Sequence, residues 1–254
     1  MIEGLIGMIH LGPLPGSPRA EPLHDTISRA VSDAVDLVDA GFDALILENF
    51  GDAPYFADDV PKVTIAAMTR AVSAVVDRVV VPVGVNVLRN DGLGAVAVAA
   101  ATGACFVRVN VLSGSMSTDQ GPIVGRAAEV ARLKRAVAPE IEVLADVMVK
   151  HAAPPPGLTL EQAAADLWER AGADGVIVSG AGTGRPLDKI DLDIVRAAIP
   201  DAPLYAGSGV TEDTVAEILG VCVGAIIGTA TKVGRVTTNQ VDPVQAKAIV
   251  KAAK

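Results

Sequence analysis

Runs of aliphatic residues alternate along the chain with segments whose apolar residues recur at helical spacing. Thr26–Ala40 and Leu160–Ala171 have this helical spacing. Strands and helices that alternate in this way indicate βαβ units and a parallel sheet. The runs predicted as strands are Leu5–Ile9, Ala44–Leu47, Val81–Val87, Cys105–Val109, Ile141–Val147, Gly175–Val178, Pro203–Ala206 and Val223–Ile227.

A glycine recurs where a predicted helix ends and the next strand is about to begin. Gly41, Gly103, Gly172 and Gly220 occupy this position. Glycine is favoured just after a helix because the backbone there often needs a positive φ. Eight strands with this repeated feature favour a closed barrel, since an open doubly wound sheet more often has five or six. We therefore predict an α/β fold in which residues 1–254 form a single (β/α)8 TIM barrel.

Three long irregular stretches follow predicted strands. They are Gly12–His24, Asn49–Pro61 and Ser113–Gly121, and all should lie at the same end of the barrel. Loops of this length in a compact domain are often functional lids. The proline-rich segment Ala152–Gly157 lies between the fifth strand and the next helix, so we interpret it as a stiff loop within the barrel and not as a domain linker.

The composition supports this fold and narrows the possible partners. Half of the 254 residues are hydrophobic but only 3% are aromatic, which is typical of an aliphatic parallel sheet covered by helices. The net charge of −9 argues against a broad nucleic-acid or anionic-membrane surface. We expect no nucleic-acid partner. The high apolar fraction permits self-association, and we expect a homo-oligomer.

Membrane insertion and disulfide formation are not expected either. No stretch of about twenty residues is apolar enough to span a bilayer. Met1–His10 is apolar but has no basic leader, so it is interpreted as the first strand, and a cytoplasmic location is expected. Cys105 and Cys222 both lie in apolar runs, which favours two buried thiols over a disulfide.

Polar residues are concentrated after the carboxyl ends of the predicted strands, whereas the opposite ends carry little comparable chemistry. The carboxyl-terminal face is where TIM barrels build their active sites, so this asymmetry predicts a functional site there. The residues assigned to catalysis or ligand binding are His10, Glu48, Asn49, Asp52, Asn86, Arg89, Arg108, Asn110, Asp146, Lys150, His151, Ser179, Gly180 and Thr183.

Glycine-rich turns after the seventh and eighth strands predict an anion site. Glycine lets the backbone approach a ligand closely, and a helix that opened at such a turn would offer free N–H groups. A phosphate between these two loops is common in barrels. The alternative is that the glycines only make tight turns. The residues predicted to bind phosphate are Gly182, Gly184, Gly207, Ser208, Gly209, Gly228, Thr229 and Lys232.

Four ionisable side chains are candidates for the chemistry itself. Glu48 and Asp146 are predicted as general acid and base, because carboxylates at a barrel mouth suit proton transfer. For Glu48 the alternative is an ion pair with Arg89 or Arg108. His10 titrates near neutral pH, but a structural histidine at the rim is the alternative role.

Lys150 and the acidic residues leave further possibilities open. Lys150 would act as a Schiff-base lysine or proton carrier if its pKa were lowered, and as an anion-binding or simply solvated lysine otherwise. Glu48, Asp52 and Asp146 have the ligand type for a divalent cation. No cofactor is required by any motif in the chain, and the metal site is left unassigned.

Several strings at these strand ends are distinctive. They are Met8–Gly16 (MIHLGPLPG), Glu48–Tyr55 (ENFGDAPY), Gly84–Asp91 (GVNVLRND), Phe106–Asn110 (FVRVN), Ala145-Asp146, Lys150-His151, Ser179–Gly184 and the tail from Gly228 through Lys232 to Asn239 and Asp242. On these strings, nearly the whole chain resembles the BtpA/SgcQ family. One departure is Val233–Val236, where the family resemblance would imply a more glycine-rich loop.

The resemblance implies a fold similar to that of the ribulose-phosphate-binding TIM barrels. It links BtpA-type members to photosystem I accumulation and membrane complex biogenesis, and SgcQ-type members to sugar metabolism, but it carries no mechanism. Two functions stay open: an enzyme acting on a small sugar-phosphate or nucleotide-like metabolite, and a non-catalytic assembly factor for a membrane complex such as a photosystem. In the first, Asn86, Arg89, Arg108 and Asn110 would orient the ligand.

Overall fold

The computed structural model describes residues 1–180 and 187–254. The barrel strands are β1 (Gly4–His10), β2 (Ala44–Glu48), β3 (Val83–Asn86), β4 (Phe106–Val109), β7 (Glu142–Val147), β8 (Gly175–Val178), β9 (Leu204–Ala206) and β10 (Gly224–Ile227). A hairpin, β5 (Ser115–Thr118) and β6 (Gly121–Val124), follows β4. The helices are α1 (Leu23–Ala40), α2 (Lys62–Val76), α3 (Gly92–Thr102), α4 (Ala127–Val137), α5 (Leu160–Ala165), α6 (Lys189–Ala198), α7 (Val215–Leu219) and α8 (Pro243–Ala252).

The eight barrel strands are parallel and close on themselves in the order β1-β10-β9-β8-β7-β4-β3-β2. Closure depends on β1, which pairs with β2 through Ile6 and Ala44 and with β10 through Gly7 and Ile227. A helix follows each barrel strand before the next one begins. The predicted (β/α)8 barrel is therefore confirmed, and the predicted strands are found within about two residues of their expected bounds.

Strand alternation divides the barrel residues into two sets, as a period of two requires. One set points outward and packs against the helices. The other fills the barrel interior with Ile6, Met8, Ala44, Ile46, Phe106, Leu144, Ile177, Tyr205 and Ile226. At the amino-terminal end, the Tyr205 hydroxyl donates to the Ile2 carbonyl at 2.6 Å. Gly84 makes room for an aromatic ring, since a Cβ there would lie 2.3 Å from Phe106 Cε2.

The inward-facing set becomes polar towards the carboxyl ends of the strands. On β1 the inward positions Ile6 and Met8 are followed by His10, and on β2 Ile46 is followed by Glu48. The same change occurs after Phe106 and Leu144, where the next inward positions are Arg108 and Asp146. The apolar interior therefore ends in a buried polar layer, which forms the base of the barrel mouth.

Two predictions about helix ends need correction. Gly41, Gly103 and Gly172 have positive φ, as expected for residues just after helices. Gly220 does not, since its φ is −70°. The predicted helix Leu160–Ala171 is also not uniform, because α5 ends at Ala165 and a π-helical turn covers Asp166–Arg170.

Two loop predictions differ in outcome. The segment Ser113–Gly121, expected to be irregular, contributes to the β5–β6 hairpin, which bridges to the proline-rich loop through Ser117 and Ala153. Ala152–Gly157 itself contains no helix or ladder strand and joins β7 to α5, as predicted. No helix within residues 1–180 and 187–254 is long and apolar enough to cross a membrane.

The two cysteines are both free thiols. Cys222 is buried as predicted, but Cys105 is exposed. The prediction for Cys105 was wrong because this residue precedes β4 at the amino-terminal rim of the barrel, where an apolar run in the sequence extends beyond the buried part of the strand.

Candidate active site

A cavity of about 730 Å³ opens at the carboxyl ends of the barrel strands. It brings together twelve residues predicted from the sequence: His10, Glu48, Arg89, Arg108, Asn110, Lys150, His151, Gly207, Ser208, Gly209, Gly228 and Thr229. The other predicted residues that the structure describes do not line it: Asn49, Asp52, Asn86, Asp146, Ser179, Gly180 and Lys232. Gly182, Thr183 and Gly184 fall outside the described residues.

Asp146 is fully engaged below the floor of this cavity. Arg108 donates from Nε to Asp146 Oδ2 and from Nη2 to Oδ1, both at 2.8 Å. The Ser179 hydroxyl donates to Oδ1 at 3.0 Å, and the Asn110 amide to Oδ2 at 3.4 Å. A carboxylate with both oxygens occupied and no exposed surface is poorly placed to move protons. Asp146 thus holds the Arg108 guanidinium in the cavity floor and Ser179 supports Asp146, while the acid–base role of Asp146 stays a prediction.

Glu48 is the carboxylate that the cavity leaves available. Its side chain is buried in the cavity wall and accepts no hydrogen bond from any residue in the described part of the chain. The alternative ion pair is not formed, because Arg108 is taken by Asp146 and Arg89 donates to the Lys150 carbonyl at 2.7 Å. Burial raises the pKa of Glu48, and the charges of Arg108, Lys150 and Arg89 only partly oppose this.

His10 lies beside Glu48, with its Nε2 4.0 Å from Glu48 Oε1. Its ring packs edge-on against Phe50 at a centroid distance of 4.9 Å, and its buried Nδ1 bonds to nothing among the described residues. Burial lowers the pKa of His10 strongly, with further lowering by Lys232, Lys150 and Arg108. The imidazole is therefore neutral near pH 7. The orphan Nδ1 argues against the alternative of a hydrogen-bonded structural histidine.

Lys150 enters the cavity from the loop after β7. Its ammonium forms no ion pair with any residue that the structure describes, although Glu48 and Arg108 are near enough to affect it. Burial, followed by the charge of Arg108, lowers the pKa of Lys150, and Glu48 raises it by less. The next residue, His151, has φ +57° and also lines the cavity.

Asn49 and Asp52 connect loops and do not reach the cavity. Asn49 Oδ1 accepts from the Leu88 amide at 2.7 Å, and its Nδ2 donates to Asp52 Oδ2 at 3.1 Å. Asp52 Oδ1 in turn accepts from the Leu14 amide at 2.7 Å. These contacts tie the loops after β1, β2 and β3 together, and the predicted role of Asn49 and Asp52 in ligand binding stays a prediction.

Asn90 makes a similar clamp at the next loop, where it accepts from the Val111 amide at 2.7 Å and donates to the Val111 carbonyl at 2.9 Å. Asn86 does not line the cavity. Its amide donates to the Arg108 carbonyl at 3.1 Å and to Asn110 Oδ1 at 3.2 Å, so it supports β4, while its buried Oδ1 has no partner among the described residues.

The three acidic residues considered for a divalent cation do not converge. Asp146 is bound to Arg108, Asp52 bonds to backbone and amide groups, and Glu48 alone faces the cavity. In residues 1–180 and 187–254, no three His, Cys, Asp or Glu side chains are grouped so that they could hold a metal ion.

Lys232, predicted to bind phosphate, forms a buried ion pair and does not line the cavity. Its Nζ lies 3.1 Å from Asp33 Oδ2 on α1, and its side chain is 0% exposed. Asp33 Oδ1 also accepts from the Val241 amide at 2.8 Å. The segment after β10 folds back so that Lys232 and Val241 form a bridge over α1. Lys232 therefore anchors the end of the chain and lies away from the cavity.

The two glycine turns do line the cavity, but not as helix ends. The helix expected directly after Gly209 begins only at Val215, and Gly228 leads into a single 3-10 turn, Thr229–Thr231. Within the described part of the chain, the backbone N–H groups of Gly209, Thr229 and Ala230 have no acceptor. The Ser208 hydroxyl already makes one hydrogen bond, which it accepts from the Gly180 amide at 3.2 Å.

Close packing at these turns excludes larger residues. A Cβ at Gly207 would lie 2.4 Å from both Ile177 Cγ2 and Ser179 Oγ, and 3.5 Å from Arg108 Nη2. The first turn thus lies directly beside the Arg108 guanidinium, and the second lies beside His10. These glycines are therefore compatible with both roles: making tight turns where a larger side chain would clash, and binding an anion.

Sequence reasoning did not single out several residues that line the cavity. Phe50 and Tyr55 come from the loop after β2, and the Tyr55 hydroxyl donates to the Phe50 carbonyl at 2.6 Å. Asp119 and Gln120 form the tip of the β5–β6 hairpin. The remaining polar ones are Thr211, Arg235 and Thr237. The available signal was position, since Tyr55, Asp119 and Gln120 belong to the long loops predicted at this face.

We expect Glu48→Gln to stabilise the protein at neutral pH. Because folding raises the pKa of Glu48, the native state binds its proton more tightly, and stability falls as pH rises from the unfolded-chain pKa of about 4.3 through the folded one. Glutamine removes this loss. The free energy of unfolding should rise by about 0.5–2 kcal/mol at pH 8, and the gain should vanish near pH 4.

Urea denaturation across this pH range measures the effect, with Glu140→Gln as a control at an exposed glutamate. The lowered pKa of His10 acts in the opposite sense, since stability is lost as pH falls below about 6.5. That loss is common to wild type and variant and cancels in the difference. A constant difference across the pH range would contradict the prediction.

Gly228→Ala is expected to destabilise the fold by about 1–3 kcal/mol, as overpacking does. The new Cβ would lie 2.8 Å from His10 Cε1 and 3.4 Å from Met8 Cβ. Thermal or urea unfolding measures the loss. Gly12→Ala is the control, because its nearest neighbour is the flexible end of Glu21 at 3.3 Å. Equal stability of the two variants would show that the Gly228 turn can shift without cost.

Solved structures with this barrel have low sequence identity to the chain. Tryptophan synthase from Mycobacterium tuberculosis superposes with a TM-score of 0.63 at 17% identity, over 99% of this chain and 92% of that one. Phosphoribosyl anthranilate isomerase from Thermus thermophilus gives 0.59 at 10% identity, over 98% and 97%. N-acetylmannosamine-6-phosphate 2-epimerase from Clostridium perfringens gives 0.57 at 14%, over 90% and 88%. These likenesses establish the fold alone.

Sequence relatives are closer. The photosystem I biogenesis protein BtpA of Synechocystis is 41% identical over 98% of this chain and 87% of its own length. An uncharacterized protein of Thermococcus kodakarensis is 45% identical, over 98% and 95%. The putative sgc region protein SgcQ of Escherichia coli is 29% identical, over 94% and 90%. A sequence profile of the BtpA family matches residues 1–254, and the chain belongs to that family.

Proposed function

We propose that this protein is an enzyme that binds a small phosphorylated metabolite, a sugar phosphate or a nucleotide-like compound, and transfers a proton through Glu48. The observation that carries the proposal is the state of Glu48, a buried carboxylate in the cavity wall with no hydrogen bond in the described part of the chain. Its raised pKa brings it closer to neutrality, where a general acid or base works best.

Phosphate binding is supported by the glycine turns after β9 and β10, which also line the cavity. There the unoccupied N–H groups of Gly209, Thr229 and Ala230 are backbone donors of the kind that bind oxyanions. The Arg108 guanidinium lies beside the Gly207 turn and is held rigidly by Asp146. The phosphate would rest on these donors, and Arg108 would supply the charge. In this proposal Arg89, Asn110 and His151 contact the rest of the ligand.

The cavity size agrees with a small metabolite. Its volume of about 730 Å³ falls within the usual range of small-molecule sites. The solved barrels similar in fold include an isomerase of phosphoribosyl anthranilate and an epimerase of N-acetylmannosamine 6-phosphate, which favours the same ligand class. A cytoplasmic location and a homo-oligomeric state stay predictions from the sequence.

Thermal-shift measurements with matched ligand pairs test the proposal. Ribose 5-phosphate, fructose 6-phosphate and adenosine monophosphate are each compared with the same compound lacking phosphate. A ligand at one hundred times its Kd should stabilise the fold by about 2.7 kcal/mol. At least one phosphorylated member should raise the unfolding temperature more than its partner does. Absence of any such difference up to millimolar concentration would contradict the proposal.

A second candidate function is assembly of a membrane complex without catalysis. It is favoured by the 41% identity to a protein named for photosystem I biogenesis. Glu48→Gln separates the two functions, because it changes the cavity and leaves the outer surface intact. An enzyme would lose turnover while staying folded, whereas an assembly factor would keep its partner binding and its effect on the complex.

A further inference from the structure

Lys150 differs from the other cations of the cavity. Arg108 is paired with Asp146, Arg235 with Glu212, and Arg89 donates to the Lys150 carbonyl. The Lys150 amine bonds to no side chain or backbone group among residues 1–180 and 187–254. A partly buried lysine left without an acceptor in a cavity wall is placed to react with the ligand.

We propose, as an extension of the proposed function, that Lys150 forms a covalent iminium with the carbonyl carbon of a phosphorylated aldose or ketose bound in the cavity. The geometry that carries this is that Lys150, Glu48 and the anion-binding turns after β9 and β10 all line one cavity. Arg108 adjoins the Gly207 turn, and its charge acts on both Lys150 and Glu48.

The surroundings of Lys150 favour the neutral amine, which is the nucleophilic form. Burial and the neighbouring Arg108 lower the pKa of Lys150, and Arg89 acts in the same direction from its bond to the Lys150 carbonyl. Desolvation and an adjacent cation are the two recognised means of activating a lysine nucleophile. Glu48 and Asp146 oppose them, but the net direction is downward.

The reaction balances with Glu48 as the proton source. The amine nitrogen adds to the carbonyl carbon, the π electrons move to oxygen, and one proton passes from nitrogen to that oxygen. Protonated Glu48 then gives its proton to the hydroxyl, which leaves as water, and the nitrogen lone pair forms the protonated C=N bond. The Glu48 carboxylate can now accept a proton from the adjacent carbon, which gives an enamine, and return a proton to carbon, which regenerates the iminium. Hydrolysis of the iminium restores both side chains.

Reductive trapping followed by peptide mapping tests this inference. The full-length protein is incubated with ribose 5-phosphate or dihydroxyacetone phosphate and sodium cyanoborohydride, which delivers hydride to an iminium and fixes it as a secondary amine. The Lys150 peptide should carry at least tenfold more adduct than any other lysine peptide. Unphosphorylated ribose and dihydroxyacetone should label Lys150 no more than exposed lysines. Labelling of Lys150 at the level of exposed Lys189 would overturn the inference.

Two variants complete the experiment. Lys150→Arg has no amine that can form an iminium with the ligand, so it should lose the adduct at this position. Lys189→Arg changes an exposed lysine paired with Glu217 and should keep the Lys150 adduct. The wild-type peptide map does not depend on either variant folding. Stabilisation of wild type by ribose 5-phosphate without a Lys150 adduct would overturn the iminium and leave the proposed function standing.

Discussion

Lys232→Met is expected to lower the free energy of unfolding by about 3–5 kcal/mol. Methionine fills a similar volume but leaves the Asp33 carboxylate buried without a cation, and an uncompensated buried charge costs far more than the ion pair itself contributes. The Val241 amide still bonds to Asp33 Oδ1, so the carboxylate cannot turn away to solvent. Urea denaturation at pH 7 measures the change.

Two further variants test whether the effect of Lys232→Met comes from the burial of its ion pair. Lys189→Met breaks an exposed ion pair with Glu217 and should cost much less stability than Lys232→Met. The double variant Lys232→Met/Asp33→Leu removes both charges and should recover part of the loss, limited by the unpaired Val241 amide. If Lys232→Met instead folded normally and lost only the stabilisation by phosphorylated ligands, the original assignment of Lys232 to the anion site would be restored.

Glu48→Gln is expected to lower kcat by about 10²–10⁴-fold, the usual contribution of a positioned general acid or base. Glutamine keeps the size and polarity of the side chain but cannot exchange a proton. The substrate is the compound identified by thermal shift, and turnover is followed by its disappearance. KM should change little, because Glu48 is assigned to proton transfer and the phosphate is assigned to the backbone N–H groups of the turns after β9 and β10.

Asp146→Asn provides the contrasting case. It weakens the bidentate pair with Arg108 and leaves a buried guanidinium short of a counter-charge, so its main effect should be lost stability and ligand affinity. Glu48→Gln should do the opposite and keep or raise stability. If Asp146→Asn were stable and inactive while Glu48→Gln retained turnover, the two carboxylates would have been assigned the wrong way round.

The fold was predictable because its determinants are local. Each buried strand is an aliphatic run, and the glycines after α1 and α3 repeat the same backbone requirement. Strand starts were less accurate. The third strand begins at Val83 and not at Val81, because Pro82 has no N–H to give the ladder and offers only its carbonyl, which accepts from Leu45.

The site was only partly predictable, because a sequence does not state which charges meet. Glu48 and Asp146 both follow buried strands and are equivalent as patterns. They differ because β4 pairs with β7 in a register that aligns Arg108 with Leu144, two residues before Asp146, so that the inward guanidinium reaches that carboxylate. Lys232 is 199 residues from Asp33 in the sequence, so the sequence pattern did not indicate that they pair. Because Lys232 follows a glycine turn, it had the pattern of a phosphate ligand.

The asparagine clamps at the barrel mouth have a consequence for loop exchange. TIM barrels are often treated as scaffolds whose loops can be swapped one at a time. Here the Asn49 side chain holds the backbone at Leu88, and Asn90 holds the backbone at Val111. Each loop therefore takes part of its shape from the one before it. A chimaera that imports only the loop after β3 would lose the clamp that Asn90 makes to Val111. The imported backbone at position 88 would also be mismatched to the Asn49 side chain. These neighbouring loops should be inherited, and transplanted, as a block.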